Sequence, residues 1–236
     1  MLEKYSDHLF FDTTKVILMI TTELKKLDKV LGGGIKNGII TDIFGFRGTG
    51  KTQMALQISL NLLKNGKNVL FVDTTGNFRP ERVLQIIKNR DLDDSLLNRL
   101  QIARVTNTAE QIELIQKIKR IDDVLLLIID NIADLFSFEY TRKEQFNLQQ
   151  QKFMNYMRSL AELAIDKKIP VIITNQLMTS NNTEYEKFNH SIDNYTHQKI
   201  KLEKQKDYYL GTVSFPFSQK TQFYYKIEKI GLVEIP

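Results

Sequence analysis

The stretch that decides the fold is Ile39–Gln53, IITDIFGFRGTGKTQ. It reads as an apolar strand, a glycine-rich turn and a helix start. Within it Gly45–Thr52, GFRGTGKT, satisfies G-x-x-x-x-G-K-[ST] in full. Gly45, Gly48 and Gly50 let the backbone curl round a phosphate with no Cβ in the way. The freed N–H groups and the helix N-terminus form an anion cradle. Lys51 then reaches the β- and γ-phosphates, and Thr52 offers its hydroxyl to Mg²⁺. Gly45, Phe46, Arg47, Gly48, Thr49, Gly50, Lys51, Thr52 and Gln53 are the candidate nucleotide-binding set. The competing reading is a glycine turn with no ligand. The hydrophobic strand before it and the apolar helix after it weigh against that.

The rest of the chain bounds the setting. Its 236 residues allow one large domain or two small ones, and 42% hydrophobic with 26% charged content is ordinary for a soluble globular protein. Cysteine is absent, which rules out disulfides and thiolate metal sites and fits a reducing compartment. His8, His190 and His197 have no metal-ligand spacing, so zinc is not expected. The net charge of +5 suits a polyanionic partner such as nucleic acid, but equally a lysine-rich solvated surface. No apolar run is long enough for a membrane span. The N-terminus has early acids and no apolar signal segment, so a cytoplasmic protein is expected.

Periodicity places the elements. Val16–Ile20 reads as a short strand after a lead-in over residues 1–20, and Glu23–Leu31 as a helix stopped by Gly32-Gly33-Gly34. The helix after the glycine loop, through about Lys64, is apolar on nearly all sides and so is expected to be buried. Asn68–Asp73, Val124–Asp130 and Val171–Gln176 are continuous apolar runs, the pattern of strands covered on both faces. Helices are expected at Pro80–Arg90, at Asn147–Lys168, and from a Thr108-x-x-Gln111 capping box to about Arg120. A short strand is expected near Leu100–Arg104. Leu177–Asn194 reads as a long polar, aperiodic loop. Thr196–Leu202, Tyr208–Phe215 and Gln222–Ile230 read as antiparallel strands, with Pro216 turning the last hairpin. Alternating strands and helices followed by a run of strands predict an α/β fold, mainly parallel and flanked by helices, with an antiparallel C-terminal extension.

Ligands in such sheets bind beyond the carboxyl ends of strands. Asp130 ends the most hydrophobic strand, and an acid there opposite Lys51–Thr52 suits Mg²⁺. Gln176 ends another buried strand, and two readings stand equal: a γ-phosphate sensor or a plain strand-end amide. A base for hydrolysis belongs after Val72, where Asp73 is the acid of Asp73-Thr74-Thr75-Gly76.

These residues together resemble the RecA-like recombinases of the RadA branch, and in size the smaller archaeal paralogue RadB. Thr21-Thr22, Leu27-Asp28 and Gly33-Gly34-Ile35 match a TT-x-x-x-x-LD-x-x-L-x-GGI pattern. Phe78-Arg79-Pro80-Glu81-Arg82, Ala103-Arg104 with Asn107-Thr108, Leu127–Asp130 and Ile172–Gln176 follow in the family's order. The resemblance covers about residues 16–236. It implies a RecA-type phosphate-loop ATPase core, as a single domain over 21–236. It also implies ATP on Gly45–Gln53, Arg82 near the adenosine, Mg²⁺ at Thr52 and Asp130, and Gln176 coupling nucleotide to a DNA-binding loop at 177–194. A first DNA loop falls near Phe138–Phe146. Arg142, Lys143 and Lys187 are the DNA-facing cations, and single-stranded DNA is the expected nucleic acid.

Departures from the family sharpen the expectation. The family has DTEG where this chain has Asp73-Thr74-Thr75-Gly76, and the threonine at the catalytic glutamate position cannot act as a carboxylate base. No counterpart of the helical N-terminal DNA-binding domain is found, nor a clear polymerisation motif near Leu9–Phe11. Loop 177–194 carries Lys187 as its lone lysine and no glycine pair. The expected role is an ATP-binding, DNA-binding accessory in recombination and repair, nucleoid-associated when on DNA, acting beside a RadA-type recombinase. Rival readings are an active DNA-dependent ATPase, a KaiC-like signalling ATPase, and an interaction module with a vestigial site.

Overall fold

The computed structural model describes residues 19–215 and 220–236. Residues 16–18 of the first expected strand, the Leu9–Phe11 segment and the turn at Pro216 lie outside these. The described chain begins with β1 (Met19–Ile20), α1 (Lys25–Val30) and β2 (Ile35–Lys36). Next come β3 (Ile40–Gly45), α2 (Lys51–Lys64), β4 (Asn68–Asp73), α3 (Pro80–Asn89) and β5 (Leu100–Arg104). Then follow α4 (Thr108–Ile118), β6 (Val124–Asp130), α5 (Asp134–Glu139), α6 (Phe146–Lys167) and β7 (Val171–Ser180). The chain closes with β8 (Thr183–Glu186), α7 (Asn189–Asp193), β9 (Gln198–Lys204), β10 (Tyr209–Phe215), β11 (Thr221–Glu228) and β12 (Gly231–Ile235). No helix among the described residues is long and apolar enough to cross a membrane.

All strands after β2 join one 10-stranded sheet, in the order β12-β11-β10-β9-β3-β7-β6-β4-β5, with β8 paired to the end of β7. β9, β3, β7, β6, β4 and β5 run parallel. The antiparallel extension is β10, β11 and β12. β9 falls in the stretch that reads as antiparallel strands. It is antiparallel only to β10, and its other edge lies parallel to β3. The final hairpin is also not the one at Pro216, because β12 returns along β11 after Lys229-Ile230.

The apolar strands are covered on both faces because successive side chains alternate sides. In β6, Leu126 and Ile128 join the core beneath α2 and α3, whereas Leu127 and Ile129 join the core beneath α4 and α6. Each such side chain taken fully from water contributes roughly 1.5–3 kcal/mol.

α2 is buried over nearly its whole surface, so its polar side chains must be paired internally. Gln53, Gln57 and Asn61 form an i, i+4 stripe. Gln57 Nε2 donates to the Thr22 carbonyl at 2.8 Å, and its Oε1 accepts from Leu232 N at 2.7 Å. Asn61 Nδ2 donates to the Thr21 carbonyl at 2.8 Å. Thr21-Thr22 is held in turn by Asp28, which accepts from Thr22 N at 2.8 Å and from both hydroxyls.

At α4 the cap is displaced by one residue from the expected Thr108. Asn107 accepts from Glu110 N at 2.9 Å, and the Glu110 carboxylate accepts from Thr106 N at 2.8 Å. The Thr108 amide and hydroxyl instead donate to Glu139 of α5.

The largest departure is at 177–194, which is a hairpin and a helix rather than an aperiodic loop. β7 runs on to Ser180, and β8 returns with Ser180 opposite Thr183. Asn181 and Asn182 both take positive φ, the geometry of a tight two-residue hairpin turn that asparagine tolerates. The hairpin tip is polar because it is exposed on both faces.

Lys199 of β9 anchors this segment to the core. Its ammonium lies 2.6 Å from Glu186 Oε2, 2.6 Å from Asp193 Oδ1 and 3.3 Å from Asp42 Oδ2. Burial alone would lower the Lys199 pKa, but the surrounding acids outweigh it and raise it. Burial, and then Glu186, push the Asp42 carboxyl well above the usual range against the pull of Lys199. Removing one partner of a buried ion cluster strands the others. Lys199→Met is therefore expected to cost about 3–5 kcal/mol in urea unfolding. Asp42 holds its proton more tightly in the folded state, so it costs stability as pH rises from the unfolded value through the raised folded one. Asp42→Asn is expected to remove that decline with little change at acid pH, as read from unfolding at a series of pH values.

Candidate nucleotide site

β3 delivers the phosphate loop to the carboxyl edge of the sheet. Gly45 pairs with Gln176 on one side and Leu202 on the other. A Cβ at Gly45 would lie 2.2 Å from the Leu202 carbonyl oxygen, so only glycine lets β9 approach this closely. Gly50 is the N-cap of α2 at φ +93°, a left-handed position. It supplies no side chain to the first-turn N–H groups of α2. Those donors suit a phosphate.

Lys51 folds over this loop, and its Nζ donates to the Gly45 and Phe46 carbonyls at 2.9 Å each. Burial lowers its pKa, and Asp130 and Asp134 work against that. Thr52 Oγ1 donates to Asp130 Oδ2 at 2.6 Å, and the Thr174 hydroxyl donates to Asp130 Oδ1. Burial raises the Asp130 carboxyl, and these two hydroxyls and Lys51 pull it back. A hydroxyl and a carboxylate held together beside a phosphate cradle suit Mg²⁺, which takes few protein ligands and relies on phosphates and waters for the rest. Thr52 and Asp130 are the residues that would hold it.

A cavity of ≈ 330 Å³ lies against the loop, lined by Gly50, Lys51, Thr52, Leu56, Arg79, Arg82 and Ile227 among others. It is of small-ligand size. A more open cleft shares Arg82 and Ile227 and continues along Glu228–Ile230. Arg82 bridges three elements here. Its Nε donates to Gln53 Oε1 at 2.6 Å, and one terminal nitrogen donates to the Glu228 carbonyl at 2.7 Å. The Phe78–Arg82 motif thus has separable parts. Phe78 packs on Phe71 with centroids 5.1 Å apart, Pro80 opens α3, and Arg82 reaches the helix that carries the phosphate loop.

Asp73, the acid of the β4–α3 turn, is engaged by the turn itself rather than free to act as a base. Its carboxylate accepts from the backbone N–H groups of Thr75, Gly76 and Phe78 and pairs with Arg104 at 3.2 Å. It holds the β4–α3 turn in shape. Thr75 sits on that turn half-buried, its hydroxyl donating to Asp73 and accepting from Asn77 N. Gln176 is half-buried at the same sheet edge. Arg142 and Lys143 are exposed between α5 and α6, flanked by exposed Phe138 and Phe146. Lys187 is half-buried.

Three residues escaped the sequence reading. Tyr225 of β11 is fully buried, and its hydroxyl donates to the Thr49 carbonyl at 2.6 Å. Ile227 packs beneath Gly50. The antiparallel extension therefore supports the phosphate loop from below. The alternation in Thr221–Glu228 marked these inward positions but not what they would meet. Asp134, at the start of α5, is the third; burial raises its carboxyl, and the charges of Lys187, Arg47 and Lys51 pull it back.

A parallel α/β sheet with a phosphate loop on its central strand, an acid at the end of a neighbouring strand and antiparallel strands beyond defines a RecA-type core. Comparison with known proteins narrows this. The Rad51 family model matches residues 13–195. The DNA repair and recombination protein RadA of Cenarchaeum symbiosum (strain A) is 36% identical over 172 residues, covering 69% of this chain and 43% of that protein. The chain belongs to the Rad51 family, and it spans less than half the length of that curated relative.

Tyr225→Phe removes a buried donor and leaves the Thr49 carbonyl unpaired. It is expected to cost about 1–3 kcal/mol in thermal or urea unfolding. It should also weaken ATP binding in calorimetry more than Tyr224→Phe does.

Proposed function

We propose that this chain is a nucleotide-responsive accessory protein of DNA recombination and repair, of the RadB kind. It binds ATP with Mg²⁺, contacts DNA, hydrolyses ATP weakly or not at all, and assists a RadA-type recombinase in the cytoplasm. The observation that carries the reading is an intact phosphate cradle beside Thr75, with no carboxylate at the family's glutamate position. The Asp73 carboxylate is already engaged by its own turn, so the nearest substitute does not serve. Nucleotide then acts as a conformational ligand, with Lys51 and Thr52 on the phosphates, Asp130 on the metal side and Arg82 at the nucleoside end.

The DNA side of the proposal rests on Arg142 and Lys143. Exposed cations beside exposed Phe138 and Phe146 offer phosphate contacts and stacking faces together, a pattern that suits single strands. A role beside a recombinase is supported by family membership and by the name of the RadA relative.

The deciding experiment measures ATP binding and turnover for the wild type, Thr75→Glu and Lys51→Ala, with and without single-stranded DNA. The wild type is expected to bind ATP with turnover near background, Thr75→Glu to gain turnover, and Lys51→Ala to lose binding. Wild-type turnover strongly stimulated by DNA and unmoved by Thr75→Glu would favour the active ATPase instead. For the DNA contacts, Arg142→Ala with Lys143→Ala is expected to weaken binding across all sequences and flatten its salt dependence by about one to two charges. Filter binding over a salt series reads this, and an unchanged slope moves the DNA site elsewhere.

A further inference from the structure

The cavity beside the phosphate loop runs from Lys51 and Thr52 to Arg79, Arg82 and Ile227, where it meets α3 and β11. Asp130, which accepts from Thr52 Oγ1 at 2.6 Å, is not among its walls. The space therefore lies on the side of the loop away from the metal position. A nucleoside triphosphate whose phosphates sit on Lys51 and Thr52 carries its base into this far end.

The fixed acceptors at that end are already taken. Arg82 Nη2 donates to the Glu228 carbonyl at 2.7 Å and Nη1 to the Lys229 carbonyl at 3.4 Å, while Arg90 Nε donates to the Ile230 carbonyl at 2.6 Å. These three carbonyls belong to the cleft that continues the cavity, and an amino group arriving there would meet a guanidinium charge. Gln53 Oε1 is taken as well, by Arg82 Nε at 2.6 Å. What the protein leaves over are donors. Gln53 is only 8% exposed, and its Nε2 has no partner among the described residues. Arg79 is exposed, and its Nη1 donates to the Gly76 and Phe78 carbonyls at 3.2 Å each. That fixes the guanidinium on its turn with Nε and Nη2 unclaimed among the described residues. Asn77 is exposed beside it, and its amide serves in either sense.

We propose that Arg79 is the base-reading side chain of this site, and that the site takes purine nucleoside triphosphates without selecting adenine over guanine. The inference rests on the nucleotide reading of Gly45–Gln53 and deepens it by naming the substrate class. A guanidinium fork suits an edge with two neighbouring acceptors, which guanine supplies as O6 and N7. Adenine sets an amino donor beside its N7, and the far end holds no fixed acceptor for that group. Adenine is therefore held by packing and one ring nitrogen, guanine by a paired contact, and Ile227 offers either ring the same apolar surface. Arg82, with its N–H groups spent on the protein, shapes the wall and leaves the base edge to Arg79.

Calorimetry on the full chain with Mg²⁺ and ATP, GTP or inorganic tripolyphosphate tests this. The wild type is expected to bind GTP at least as tightly as ATP, to within about threefold. Arg79→Lys keeps the charge and loses the fork. It is expected to weaken GTP roughly fivefold or more, the low end for a paired base contact, and to leave tripolyphosphate unchanged. Arg79→Glu replaces the donors with an acceptor and is expected to move the GTP-to-ATP affinity ratio about tenfold towards ATP. Retained tripolyphosphate binding also shows that each variant is folded. A wild type that prefers ATP by tenfold or more, GTP binding unmoved by Arg79→Lys, or tripolyphosphate weakened as much as GTP would overturn this inference alone. If the wild type binds neither ATP nor tripolyphosphate, the nucleotide reading falls and this inference with it.

Discussion

The structure depends on the register of its parallel strands. Parallel pairing sets Gly45 opposite Gln176 and Asp73 opposite Asp130, so the polar strand ends all emerge on one edge of the sheet. Parallel strands require crossover helices, and right-handed crossovers put those helices on both faces. The strands must then be apolar on both sides, and their polar chemistry is confined to the ends. Thr52 reaching Asp130, and Lys51 lying over the loop carbonyls, follow from that register.

α2 transmits this arrangement to the rest of the chain. A helix buried on nearly all sides has to pair its amides inside the fold, and its Gln53–Gln57–Asn61 stripe does so with distant partners, save for Gln53 Nε2, which has none among the described residues. Gln53 fixes Arg82, Gln57 ties the N-terminal segment to β12, and Asn61 holds Thr21. Tyr225 closes the circuit by bonding the loop itself. The C-terminal strands are thus part of the candidate nucleotide site.

The segment 177–194 is governed by electrostatics more than by pattern. Few apolar residues hold it, and the buried lysine with its acids supplies what packing does not. A buried ion cluster gives geometric specificity more readily than net stability. It holds Glu186 in one place, and Asn175 ties both Glu186 and the Lys187 carbonyl to β7.

The sequence alone determined the phosphate loop, the buried strands with their terminal acids, the helix order and the family, since these are local patterns of period, glycine placement and spacing. It misread 177–194 because Asn181-Asn182 is a weaker turn signal than a glycine pair, and a hairpin exposed on both faces has no hydrophobic alternation to show. It placed the cap at Thr108 because the Asn107–Glu110 pair one residue earlier has the same spacing. Only the tertiary structure decided what meets what: Asp73 spent on its own turn, Tyr225 under Thr49, and Lys199 among its acids. Those pairings join residues far apart in the chain, and side-chain chemistry by itself states that a buried charge or donor needs a partner without saying which one the fold will bring.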